Sequence, residues 1–167
     1  MTTYDFLNFK SFPSSLKEET RAKKVLIPDV YAAAVKPGSQ VTLSIHVKQS
    51  NVVGKGINQG SLSIWGRNTG EKIVSPAMLF PEGTFDWMNF KKTITIPSGV
   101  TLLYGSLWAG AGTEDTPGIS WFDDLKIYQD GVLIYENNFT APIVQTAVGV
   151  VLPIATGLGV VRFGKKG

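Results

Sequence analysis

A strict alternation of apolar and polar residues constrains this chain more than any other feature. In Gln40–Lys48 (QVTLSIHVK), Val41, Leu43, Ile45 and Val47 alternate with Thr42, Ser44, His46 and Lys48. Successive side chains of an extended strand point to opposite faces, so this segment has one face for a core and one for water. Ser61–Arg67, Trp87–Ile96, Thr101–Trp108, Trp121–Gln129 and Val132–Tyr135 also read as strands. Turn formers separate them: Pro37-Gly38, Asn68-Thr69-Gly70, Pro97-Ser98-Gly99 and Asp130-Gly131, the last a strong hairpin signal. Short strands with this punctuation pack as two antiparallel layers. The expected fold is therefore all-β, a jelly-roll-like antiparallel β-sandwich over residues 25–139.

Residues 1–24 break the pattern. They are rich in aromatic residues, and Ser15 with Glu18 has the spacing of a capping box before a heavily charged stretch. The spacing predicts an N-terminal arm carrying one short helix over 15–24, either a docking element or a solvated surface helix.

The C-terminal end breaks it differently. From Asn137 to Val161 there is no charged residue, and Arg162, Lys165 and Lys166 follow. About 20 apolar residues can cross a hydrocarbon core as a helix, and flanking basic residues fit that reading. Frequent Val, Ile and Thr with Gly and Pro breaks equally suit an extended arm laid along another subunit. A third reading makes residues 140–167 part of the domain's own sandwich. Ala141, Val148, Val151, Leu152, Ile154, Leu158 and Val161 are the anchoring side chains in the first two readings.

Composition excludes several functions. Of 167 residues 43% are hydrophobic and 17% charged, which suits one domain plus an appendage. The net charge of +3 comes largely from basic residues near the two ends, so no basic stripe marks a nucleic-acid partner. Without cysteine there are no disulfides and no thiolate metal sites, and one histidine leaves little material for catalysis. No nucleophile elbow, phosphate loop or metal-spaced cluster occurs, and the chain is expected to be non-enzymatic.

Three pieces of the sandwich carry a likeness. PGSQVTLSIHVK (37–48), GTFDWMNFKKTITIPSG (83–99) and GISWFDDLKIY (118–128) resemble, in order and spacing, strands of carbohydrate-binding modules of the family four and family nine type. The resemblance spans a little over half the chain. It departs from the family in residues 1–36, where the usual first strand is not evident, and in the tail.

The resemblance implies a sugar lying across one sheet face, stacked on aromatic rings. Alternation places His46, Trp65, Tyr104 and Trp108 on the non-core faces of their strands, where they could form such a groove or pack under a loop or neighbouring subunit. The resemblance also implies a structural calcium ion held by Asp123 or Asp124, whose hard oxygens suit it. As strand neighbours these two carboxylates should point to opposite faces, unlike a glycosidase pair.

Together these readings point to a non-enzymatic structural or surface protein, a minor or decorating virion component whose tail anchors it in a membrane or a neighbouring subunit. Its partners would be other copies or other structural proteins of the assembly, membrane lipid or polysaccharide, at a virion or cell surface. The alternative is a carbohydrate-binding module whose aromatic groove is its function.

Overall fold

The computed structural model describes residues 2–10, 14–21, 25–53, 59–67, 72–140, 143–145 and 151–153. Twelve strands are formed by these residues: β1 (Thr2–Asp5), β2 (Ser15–Thr20), β3 (Val25–Ala34), β4 (Gln40–Val52), β5 (Ser61–Arg67), β6 (Lys72–Leu79), β7 (Gly83–Thr95), β8 (Leu102–Ala109), β9 (Gly118–Gln129), β10 (Val132–Asn137), β11 (Ile143–Gln145) and β12 (Val151–Pro153). The larger sheet has the order β1-β2-β9-β4-β7, with β10 also on β9, and the smaller has the order β3-β8-β5-β6. Every pairing is antiparallel.

The two sheets enclose a core that follows the alternation. Val41, Leu43, Ile45 and Val47 of β4 are each 0% exposed. They belong to one cluster with Leu62, Ile64, Leu103 and Leu107 of the smaller sheet and Phe122, Leu125 and Ile127 of β9. Burying each such side chain stabilises the fold by about 1.5–3 kcal/mol. Phe80 completes the aromatic part, its ring 5.2 Å from Phe90 and 6.1 Å from Phe122.

One glycine lets the smaller sheet close over a large ring. A Cβ on Gly105 would stand 2.2 Å from the Ser63 carbonyl oxygen and 2.4 Å from Tyr31 Cε1. Tyr31 is 1% exposed and its hydroxyl donates to that same carbonyl at 3.1 Å. Burial pushes the Tyr31 hydroxyl's pKa upward, so it stays a donor.

The helix expected over 15–24 is a strand over Ser15–Thr20. Leu16, Glu18 and Thr20 are buried while Lys17 and Glu19 are not, a period of two that the charged composition hides. Leu16–Thr20 pairs with Gly118–Phe122 of β9, and Thr2–Asp5 pairs with Ser15–Glu18. Glu18 accepts a hydrogen bond from the Thr2 hydroxyl instead of capping a helix. Because β4 occupies one edge of β9, β2 and β10 lie end to end along the other, against its first and second halves.

In the tail, Ile143–Gln145 pairs with Val151–Pro153, and among the described residues these two strands pair only with each other. Val151 and Leu152 fall in β12; Ala141, Val148, Ile154, Leu158 and Val161 lie outside the described residues. Among the described residues no helix is long and apolar enough to cross a membrane.

Candidate ligand-binding face

The outer face of the smaller sheet collects three of the four aromatic candidates. On β5 and β8, Leu62, Ile64, Leu103 and Leu107 face the core. Their neighbours Trp65, Tyr104 and Trp108 are therefore turned outward, and each is half-buried. Trp65 lies directly opposite Tyr104, and Trp108 opposite Ser61 on one side and Leu26 on the other. Opposed side chains on one face have Cβ atoms roughly 5 Å apart. Tyr104 and Trp108 are four residues apart on one strand, so about 13 Å separates them. Between them Ser63 replaces a rung of the ladder: its Oγ donates to the Ser106 carbonyl at 2.9 Å and accepts the Ser106 N–H at 2.8 Å.

Polar groups frame one end of this row. The Arg67 guanidinium lies 5.2 Å from the centre of the Tyr104 ring, a cation–π contact. Beside it a depression of about 300 Å³ is lined by Asp29, Tyr31, Ala32, Arg67, Leu102 and Tyr104. Asp29 reaches it through a bulge: the β3–β8 register shifts between Ile27 and Tyr31, and Asp29 takes φ 50°. Aspartate tolerates this left-handed conformation better than most residues.

His46 is not part of this row. It lies on the outer face of the larger sheet, opposite Asp123 of β9 and Asn89 of β7. Its Nδ1 stands 3.2 Å from Asp124 Oδ2, off the line of a hydrogen bond. Burial lowers the His46 pKa, and the attraction of Asp124 only partly offsets it. Asp124 Oδ1 meets Lys126 Nζ at 2.7 Å, and Lys126 continues to Glu136 at 3.5 Å. The hydrogen bond to Asp124 raises the Lys126 pKa.

Asp123 and Asp124 do not point to opposite faces. The β4–β9 register shifts between Ser44 and His46, and Asp124 at φ 52° is the extra residue, so both carboxylates stand on the outer side. Both carboxylates are engaged by the protein's own groups. Asp123 is fully buried and accepts the N–H groups of Lys10 and Asp124, each at 2.7 Å. Asp124 is already paired with a lysine ammonium. Among the described residues no group of three or more His, Asp or Glu side chains could hold a metal ion.

The N-terminal segment covers another part of that outer face. Asp5 accepts Trp121 Nε1 at 2.8 Å, the Leu7 and Asn8 N–H groups at 2.9 Å and Asn8 Nδ2 at 3.2 Å. Lys17 and Lys48 approach the same indole at 5.8 and 5.7 Å, and Trp121 is left 7% exposed.

Two site residues escape the sequence reading. Arg67 stands two places after Trp65, so the period-two rule alone puts it on the aromatic face. Asp29 carries no such signal, because its bulge depends on pairing with a strand some eighty residues later.

No family model matches the sequence, and no curated protein does. Solved structures do. A family 16 carbohydrate-binding module is 12% identical with a TM-score of 0.54, over 76% of this chain and 84% of that one. The CBM22-1 and GH10 modules of the N-terminal endo-1,4-beta-D-xylanase 10B from Clostridium thermocellum, complexed with xylohexaose, are 15% identical with a TM-score of 0.50, over 84% of this chain and 27% of that one. The enzymatically active domain of tailspike protein 4 from bacteriophage CBA120 is also 15% identical at 0.50, over 80% and 17%. At such identities the likeness is one of fold: the chain shares the β-sandwich of carbohydrate-binding modules, with members of families sixteen and twenty-two among its neighbours, which does not single out the family four and nine type.

Proposed function

We propose that the protein binds carbohydrate on the outer face of its smaller sheet. The observation that carries this reading is the aromatic row: Trp65 opposite Tyr104, with Trp108 farther along the same strand. The C–H faces of a pyranose pack on flat rings, and hydroxyls meet polar groups beside them. Asp29 and Arg67 supply those groups. The row runs about 13 Å along β8 from Tyr104 to Trp108, a length that suits a stretch of polysaccharide rather than a single sugar. The fold it shares with carbohydrate-binding modules supports the same reading. The tail-anchored virion component rests on residues mostly outside those described, and we do not put it forward.

Affinity electrophoresis against a panel of soluble polysaccharides, followed by calorimetry on those that retard the protein, tests the proposal. Trp65→Ala and Tyr104→Ala should each weaken binding roughly thirty-fold, the loss of about 2 kcal/mol typical of an aromatic hot spot. Retardation by no polysaccharide, or affinities unchanged in both variants, would remove the site.

A further inference from the structure

Resting on the carbohydrate-binding reading, we propose that the depression beside Tyr104 takes a uronic acid residue. Arg67 holds its carboxylate and Asp29 accepts from its ring hydroxyls. Arg67 is exposed at the end of β5, and its guanidinium lies against Tyr104. A stacked guanidinium has already lost much of its rotational freedom, so little more is lost when it binds. Its planar fork of donors matches a carboxylate with two parallel hydrogen bonds, which an ammonium cannot do.

Asp29 lines the same depression and offers only acceptors. Among the described residues neither Asp29 nor Arg67 forms an ion pair, with the other or with a third group. The depression therefore keeps a cationic donor and an anionic acceptor apart. A neutral sugar answers the acceptor and leaves the cation's charge unmatched. A hexuronic acid answers both, because its carboxylate and its vicinal hydroxyls stand on different edges of one ring. The apolar floor of Ala32, Leu102 and Tyr104 suits the C–H face between them.

Polygalacturonate and the same polymer with its carboxyl groups reduced to alcohols are the probes, with neutral xylan and dextran sulfate beside them. The wild-type chain should bind the uronate polymer roughly ten- to hundred-fold more tightly than its reduced form, the range of a charge-assisted bidentate contact. Arg67→Gln should abolish that difference, Arg67→Lys should restore only part of it, and Asp29→Asn should weaken both forms alike. The preference should shrink as salt is raised. Equal affinity for the two polymers, no effect of Arg67→Gln, or dextran sulfate bound as tightly as the uronate would overturn the inference. If neutral xylan alone binds, and depends on Trp65, the uronate assignment falls while the carbohydrate reading stands; if no polysaccharide binds, both fall.

Discussion

His46 is a residue whose charge the fold resists. Burial favours its neutral form, and the nearby Asp124 and Asp123 carboxylates do not reverse this against the opposing charge of Lys10. The unfolded chain protonates this histidine near pH 6.5, while the folded chain does so only at lower pH. Below about pH 6.5 the unfolded state thus holds more protons, and stability falls as the pH drops through that window. The urea midpoint of the wild-type chain should decrease more between pH 7.5 and 5.5 than that of His46→Asn, whose side chain does not titrate. Equal decreases would show that the site tolerates the imidazolium. The sequence told which side of its strand His46 occupies but not which sheet that strand joins. For that reason alternation alone groups His46 with Trp65, Tyr104 and Trp108, from which two layers of sandwich separate it. Trp65, Tyr104 and Trp108 share a face because β5 and β8 are neighbours in one sheet.

Among the elements, β4 and β2 mark the limits of reading strands from pattern. Val41 to Val47 alternate cleanly and are buried as the alternation requires. SLKEET alternates too, but its inward positions include Glu18 and Thr20, polar residues buried only because β1 and the loop beyond β8 supply partners. Thr20 donates to the Gly110 carbonyl at 2.6 Å. No local property of the segment announces partners so distant in sequence, and helix-capping spacing was the stronger local signal. The β1–β2 unit is held to β9 partly through Asp5. Burial alone would raise the Asp5 pKa, but the Trp121 indole, the Leu7 and Asn8 N–H groups and the Asn8 amide together lower it. Asp5→Ala leaves several of these donors without an acceptor, at a cost of about 1–3 kcal/mol for a buried one. Chemical denaturation should record that loss, and tryptophan emission should shift to the red as water reaches Trp121. An unshifted spectrum would mean that the lysines alone keep the indole covered.

For the molecule as a whole, whether the sandwich needs its tail is open to a direct test. Among the described residues, strands β11 and β12 pair only with each other, while Phe139, 7% exposed, closes the core just before them. A chain ending at Thr140 should therefore keep its β-sheet circular dichroism, with a Tm within about 4 °C of the full chain, the shift of roughly 1 kcal/mol at this size. A larger drop would place the tail inside the domain. The path of the chain through the larger sheet has a further effect, on the timing of synthesis. Leu16 of β2 pairs with Phe122 of β9, so the first strands have no edge to join until the ninth exists. At about 5–20 residues per second of translation, the beginning of the chain waits on the order of 5–20 s for its partner. During that interval the polar residues of SLKEET keep an unpaired strand soluble. The charge that disguises β2 as a helix thus protects the nascent chain.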